Sequence, residues 1–475
     1  MAKISLKELK ISLNLTLTEP EILDCGDFNL LKIFQHAYHK TAVGSRSVSR
    51  IIWDKSILYQ QIFTALKRIQ NQKIFKLNKK KISKLQARSI ILYTGGNIVT
   101  SEKAENISSN AYNLVQAAGQ NRCLYIYNEV NRGIVECGQE LNGSEVFNCG
   151  RFLRIDQDDI LLLKALQKTY QKSDVLYVND ALLKNNFKSQ IQQLFDDFRS
   201  WKYVFQIVKP DAIYFAPHYH NEGLVLACKS QKIKAIELQH GLISREDYYY
   251  SYPPEWSGIC ERALFADEIL VFGEFWKTEL LLGNEYKSEQ IKIIGKYQYH
   301  PSISEESIKK FIKKYRLENK KVIAICTQTN LPDFYADYTR KLSDIIKNNA
   351  EYVIVVKPHP RQIGLEKIEA SASLPNVRVM DKSDNLMVLL NLSEIQISIY
   401  STTFFDAIGS GTINFSLQNV ENNSEYASTM VEQGIAHALK VDENPINLLG
   451  KFQSEKDVLN PDSVYAPFKP DFWNL

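Results

Sequence analysis

The sequence predicts an α/β protein of two doubly wound, Rossmann-like domains facing a cleft, with a helical extension at the amino end. Three observations predict it. The chain has 475 residues, too many for one compact core and enough for two. From Ser89 onward, short β-rich apolar runs alternate with amphipathic stretches, the rhythm of crossover connections and parallel sheets. That rhythm breaks at an expected linker, Ile294 to Ser307, and then restarts. The boundaries therefore read 1–88 for the extension, 89–300 and 301–445 for the two domains, and 446–475 for a carboxyl-terminal tail.

The extension carries helical patterns such as Ile57–Ile69 and one basic run. Nine Lys or Arg and no acid lie between Lys67 and Arg88, which leaves the rest of a chain of net charge +4 at about −5. Such a run reads as a solvated helical face or as a patch for an anionic membrane surface, where each basic residue contributes ~1 kcal/mol. With only Phe75 among the run to stack on a base, nucleic acid is not the expected partner. No apolar stretch approaches the ~20 residues that span a bilayer, and the first residues lack the apolar core and cleavage site of a secretion signal. A cytoplasmic protein, docking at most peripherally on the inner face of the membrane, is expected. The seven cysteines, Cys25, Cys123, Cys137, Cys149, Cys228, Cys260 and Cys326, are odd in number and form no CxxC pair. They suit small core residues in a reducing compartment.

In the first domain, strands are expected at Ser89–Tyr93, Cys123–Tyr127, Val175–Val178, Ala212–Phe215, Lys234–Leu238 and Glu268–Phe272, with helices at Ala181–Trp201 and Asn221–Ser230. Ligands of open α/β sheets bind at the carboxyl ends of strands, so the residues after each strand are the candidates. Gly95 and Gly96 follow the first and offer close backbone approach on the acceptor side. Gln239, His240 and Gly241 follow Lys234–Leu238, placing an imidazole at a strand end with room for a ligand. His240 can take a proton from a hydroxyl near neutral pH. After Ala212–Phe215 come His218, His220, Asn221, Glu222 and Gly223. His218 and His220 share a face if the strand continues, and a third ligand would complete a metal site; no carboxylate or Cys cluster accompanies them. Glu222 is either a general base or a first-turn acid behind an Asn221 cap. Asp156-Gln157-Asp158 has the form of a metal-holding DxD triplet, but it also opens the helical run Ile160–Leu166, where acids are expected anyway. No metal is expected.

In the second domain, strands are expected at Val322–Cys326, Tyr352–Val356, Val377–Met380, Ile395–Ile399 and Thr412–Phe415. Helices lie between them at Tyr335–Lys347, Leu365–Ala370, Asn385–Leu390 and Thr403–Ile408. Tyr352–Val356 runs into Lys357-Pro358-His359-Pro360-Arg361, whose prolines hold three basic groups at the sheet edge. Ile395–Ile399 runs into Ser401, Thr402 and Thr403 at a helix start, where hydroxyls and unpaired N–H groups suit an anion. The two strands are expected to be neighbours, so that the two loops together form a phosphate site. Gln328 to Asn330, after Val322–Cys326, fall where a base or ribose is contacted, and Gly409 and Gly411 shape the rest of the pocket. The tail, with Tyr465, Phe468, Phe472 and Trp473, is too aromatic for a free end and is expected to pack back on the body.

These residues resemble a family. Gln239-His240-Gly241, His359-Pro360 and Ser401-Thr402 are similar to elements of bacterial GT-B glycosyltransferases of surface-polysaccharide synthesis, in particular the CMP-sugar (sialyl- and Kdo-type) transferases. There a His-Pro and a Ser-Ser or Ser-Thr motif hold the CMP phosphate. Asn221-Glu222-Gly223 resembles the acidic motif that supplies the base in some of them, departing from it by Asn at the first place. The same elements, with the run Ser401–Asp406, also resemble CDP-glycerol glycerophosphotransferases. The likeness covers residues 210 to 415 and consists of short motifs. It implies a nucleotide-sugar co-substrate with CMP favoured, no metal or other cofactor, a glycan or lipid-linked glycan acceptor, and His240 or Glu222 as the base. Polyol-phosphate transfer from CDP-glycerol, a UDP-sugar 2-epimerase (whose carboxylates are poorly placed in this chain) and a non-catalytic glycan-binding scaffold are the alternatives.

Overall fold

The computed structural model describes residues 24–25, 28–29, 87, 89–94, 98–101, 104–108, 113–114, 117, 123–127, 140–141, 144–148, 194, 197–198, 200–245, 249–250, 264–283, 286–298, 303–329, 331–360, 362–420, 424–452 and 459–474. The basic side chains of Lys67–Arg88, the pair Gly95 and Gly96, the Asp156–Asp158 triplet, the strand expected at Val175–Val178 and Arg361 lie outside the described residues. The chain divides into two units. One takes in its described residues up to Phe272, Trp276–Tyr299 and Phe468–Leu475; the other takes in Gly273–Phe275 and His300–Pro467.

The first unit is built on an eight-stranded sheet. Its strands are β1 (Ile90–Thr94), β2 (Cys123–Tyr127), β3 (Glu140–Leu141), β4 (Ser144–Asn148), β5 (Ala212–Phe215), β6 (Lys234–Leu238), β7 (Glu268–Val271) and β8 (Ile291–Ile293). They lie in the order β8-β7-β6-β5-β1-β2-β4-β3. Every neighbouring pair is parallel except β3 with β4. The winding of this sheet therefore starts at β1, runs outward through β2 to β4, then returns to β5 and runs the other way. Helix α1 (Glu222–Gln231) connects β5 to β6. Ile91, Leu124, Ile213, Phe215 and Ala235 pack with Leu224, Val225 and Cys228 of that helix and with Trp201, Val204 and Phe205 in one buried cluster. Phe472 and Trp473, near the chain's end, set their rings edge-on to Tyr214 of β5 at 5.8 and 4.4 Å.

The second unit has a six-stranded, wholly parallel sheet: β9 (Lys321–Cys326), β10 (Tyr352–Lys357), β11 (Val377–Val379), β12 (Ser393–Ser398), β13 (Ile413–Leu417) and β14 (His437–Leu439). Their order is β11-β10-β9-β12-β13-β14. A sheet covered on both faces needs apolar residues at successive positions. Along β9 and β10, Ile323, Ile325, Ile354 and Val356 enter one buried cluster while Val322, Ala324, Val353 and Val355 enter another. Each such Val or Ile side chain contributes ~1.5–3 kcal/mol on burial. The covering helices include α2 (Glu305–Tyr315), α3 (Pro332–Ile345), α4 (Leu365–Glu369), α5 (Leu386–Leu392) and α6 (Thr403–Ile408).

Three sequence expectations need correction. The stretch Ile294–Ser307 is not linker throughout: Ser304 caps α2, its Oγ accepting from the Ser307 N–H at 3.1 Å, and acids in the first turn and lysines in the last suit the helix dipole. The winding does not end at Phe415 but continues through the helix Ser424–Glu432 to β14. The two strands that carry the basic and hydroxyl loops are not neighbours, since β9 lies between β10 and β12. Among the described residues, no helix is long and apolar enough to cross a membrane. Cys228 and Cys326 are buried free thiols, and burial pushes the Cys326 thiol up to about 12.

Candidate functional site

All six strands of the second sheet run the same way, so the loops after β9, β10 and β12 emerge at one edge. The winding reverses there, between β9 and β12, the position where open α/β sheets hold ligands. Side-chain hydrogen bonds join the three loops. After β9, the Thr327 hydroxyl accepts from the His359 N–H at 3.0 Å and donates to Gln362 at 2.5 Å. Thr329 Oγ1 lies 3.0 Å from His359 Nδ1. Gln328 Nε2 donates to the Tyr400 carbonyl across the reversal, and its Oε1 is buried without a partner among the described residues. The tie to Tyr400 holds the Gln328 amide between the two loops.

Lys357 is the last residue of β10, not a loop residue, and is buried. Its ammonium donates to the carbonyls of Asp381 (3.2 Å) and Lys382 (2.8 Å). Burial holds its pKa below the ordinary lysine value, partly offset by Cys326, Asp384 and Asp381. Two of its three N–H donors thus organise the loop after β11, and one remains for a ligand. His359 is half-buried and Pro360 exposed.

The hydroxyl loop departs from expectation. Ser401 Oγ accepts from the Thr403 N–H at 3.2 Å and from the Thr403 hydroxyl at 3.0 Å, while Thr403 Oγ1 accepts from Gln396. Phe404 N–H donates to the Ser401 carbonyl, and Phe405 and Asp406 N–H to that of Thr402. The amides of the first turn of α6 therefore already have acceptors, and the helix is only six residues long. Thr402 is exposed and its side chain makes no capping bond, so what the loop presents is hydroxyl rather than bare amide. Gly409 and Gly411 follow α6 and precede β13, which puts them at the opposite, amino-terminal edge of the sheet. They do not shape this site.

In the first unit the reversal lies between β1 and β5, and the candidates follow β5 and β6. His218, Tyr219 and His220 do not continue β5 but form one 3₁₀ turn. The two imidazoles therefore do not share a strand face: His218 is buried and His220 exposed. His218 Nδ1 is spent on Glu237 Oε2 at 2.7 Å. Among the described residues no three His, Cys, Asp or Glu stand together as a metal site would require. Asn221 does not cap α1; its amide donates to the Pro217 carbonyl at 2.7 Å instead. Glu222 is the buried first residue of α1. Gln239 is fully buried, with Nε2 on the Gly241 carbonyl (2.9 Å) and Oε1 accepting from the Phe272 N–H (2.8 Å). It shapes the turn around His240 and does not face an acceptor.

His240 Nε2 lies 3.2 Å from the Tyr219 hydroxyl, and its Nδ1 is buried without a partner among the described residues. Its carbonyl accepts from Gln298 and that of Gln239 from the Tyr297 hydroxyl, so the backbone here is fixed on two sides. Burial lowers the imidazole pKa, Glu237 opposing and His218 adding to the effect. A ring that is neutral near pH 7 can accept a proton.

The residue that sequence reasoning missed is Glu237. It is fully buried, accepting from Tyr250 at 2.8 Å and Tyr286 at 3.4 Å as well as meeting His218. Burial raises its pKa, but His218, the bonds from His218 and Tyr250, and His240 outweigh that and hold it below the ordinary value. A lone acid in the otherwise apolar strand end Ala235–Leu238 was the available signal.

Fold and site define a doubly wound α/β protein with two units, whose second sheet gathers three hydrogen-bonded polar loops where its winding reverses. No protein-family model and no curated protein matches the chain. Among solved structures it is similar to S. aureus MnaA in complex with UDP (13% identity, 80% of this chain and 91% of that one, TM-score 0.45). It is also similar to a UDP-GlcNAc 2-epimerase from Neisseria meningitidis bound to UDP-GlcNAc (15%, 79% and 96%, TM-score 0.44). A third is a trehalose 6-phosphate synthase from Burkholderia multivorans (9%, 80% and 91%, TM-score 0.47). Likenesses this distant leave the site residues to be judged on their own geometry.

Proposed function

We propose that this chain is a glycosyltransferase that uses a nucleotide-activated sugar, CMP-sugar by preference, and passes the sugar to a hydroxyl of a glycan or lipid-linked glycan. One observation carries the reading. The His359-Pro360 loop, the Ser401–Thr403 loop and Gln328 follow strands that end at one sheet edge, at the reversal of winding, and hydrogen bonds tie Gln328 and Thr329 to the other two. In this reading His359, the remaining Lys357 donor and the hydroxyls of Ser401 and Thr402 hold the nucleotide phosphate and stabilise its charge as the sugar–phosphate bond breaks. Gln328 faces the nucleoside. No metal is needed, because protein donors supply the positive field. His240 takes the proton of the acceptor hydroxyl, with Glu222 the alternative base, and Gly241 leaves room beside the ring for the acceptor. The basic run Lys67–Arg88 holds the protein to an anionic membrane surface, where a lipid-linked acceptor lies.

The CMP preference rests on the likeness of His359-Pro360 and Ser401-Thr402 to the phosphate-holding motifs of CMP-sugar transferases. The run Ser401–Asp406 favours a second reading, transfer of a polyol phosphate from CDP-glycerol. Thermal melts with CMP, CDP, UDP and GDP test the first step. A nucleotide at a hundredfold excess over its Kd stabilises by about 2.7 kcal/mol. CMP or CDP is expected to raise the melting temperature of wild type and to raise that of His359→Ala much less. If neither shifts wild type, the donor assignment is wrong. Phosphorus in the product then separates polyol-phosphate transfer from sugar transfer.

A further inference from the structure

Fold stability gives no account of the charge buried in the first unit. Glu237 is fully buried near the end of β6, between Ile236 and Leu238. Burying an acid with a histidine seldom stabilises a fold more than apolar residues of the same size would. Its place in the topology is informative. β5 and β6 are parallel neighbours, and Glu237 stands opposite Phe215, three residues before His218. The chain leaves β5, turns through His218–His220, and brings the Tyr219 hydroxyl 3.2 Å from His240 Nε2. His240 in turn lies three residues beyond Glu237. The contacts therefore close a ring: Glu237 to His218 at 2.7 Å, His218 through the chain to Tyr219, Tyr219 to His240, and His240 back along the chain to Glu237. Tyr249 stacks on Tyr219 at 4.2 Å with ring planes 17° apart. Tyr250, bonded to Glu237, meets Tyr219 edge-on at 5.8 Å.

We propose that Glu237 is a positioning residue for His240: its bond to His218 anchors the turn that carries Tyr219, and through Tyr219 it holds the imidazole in one orientation and tautomer. The inference rests on reading His240 as the base. In the transfer step the acceptor oxygen bonds the anomeric carbon, and its proton passes to a ring nitrogen of His240. The sugar–phosphate bond breaks with its electron pair leaving on the nucleotide. Glu237 neither gains nor loses a proton. The titratable groups that face it are His218 from the turn after β5, His240 from the end of its own strand, and Tyr250, Tyr286 and Tyr297 from the segments packed on it.

The first measurement needs no substrate. Full-length protein with ¹⁵N-labelled histidine rings is titrated by NMR as wild type and as Glu237→Gln, with the His240 signals assigned by their loss in His240→Gln. An opposite charge at close range moves a pKa by about 1–3 units. The His240 midpoint is therefore expected to fall by about one unit or more in Glu237→Gln, with mixed ring tautomers replacing one. An unchanged midpoint and tautomer in a folded Glu237→Gln protein overturns the proposal. Should that variant not fold, as read by circular dichroism, Tyr219→Phe takes its place. Loss of the single tautomer in Tyr219→Phe supports the link, and its persistence refutes it. Undiminished CMP release from CMP-sugar by His240→Gln removes the base and this proposal with it, a result the titration does not confuse with failure of the Glu237 link alone.

Discussion

Gly223, the second residue of α1, is expected to resist even alanine. A Cβ there would stand 2.3 Å from the Leu194 carbonyl oxygen, 2.7 Å from the Phe198 nitrogen and 2.8 Å from the Asp197 Cβ. Real Cβ contacts do not come under 3.0 Å, so the two segments must part by about 0.7 Å. Two of the three obstacles are backbone and cannot swing aside. Two effects of opposite sign compete. Alanine is a better helix former than glycine by up to about 1 kcal/mol. Overpacking of this kind costs about 1–3 kcal/mol, and it falls on the buried face that α1 shares with Leu224 and Val225 of the core. The clash wins, for a net loss of up to about 2 kcal/mol. All five tryptophans lie in the sequence ranges of the first unit, so tryptophan fluorescence in urea reports on that unit. With a slope of about 2–3 kcal/mol/M, the midpoint should fall by roughly 0.5 M. A midpoint equal to or above that of wild type would refute the packing account of this glycine.

The pH dependence of stability offers a second check. Burial keeps the His240 pKa below 6.5, so between the folded value and 6.5 the unfolded chain binds a proton that the native protein does not. Stability should fall as pH drops through that window. His240→Gln should lose less melting temperature between pH 7 and pH 5 than wild type; an equal or greater loss sinks the reading. Tyr250→Phe keeps the ring, itself buried, and removes one donor from Glu237. Bonds to charged groups are worth about 1.5–3 kcal/mol, so the tryptophan-monitored urea midpoint should drop accordingly, and a change under about 0.5 kcal/mol would count against the buried carboxylate.

Much of the fold was legible because a doubly wound sheet writes itself locally. Cys123–Tyr127, Ala212–Phe215, Lys234–Leu238 and Thr403–Ile408 begin and end where the apolar periodicity says. The reason is that strands covered on both faces must be apolar at successive positions. The carboxyl-end rule then picks out the residues after each strand without knowledge of which strands adjoin.

What the sequence determined by itself is accordingly the succession of elements and the residues at their ends. Tertiary structure decided the rest: that β9 separates the two loops read as neighbours, that the α6 amides satisfy one another, that Gln239 faces inward, and that Glu237, His218, Tyr219 and His240 close into one ring. Sheet order depends on which crossovers lie on which side, and hydrogen-bond partners depend on residues tens of positions away. Neither leaves a periodic trace in the chain.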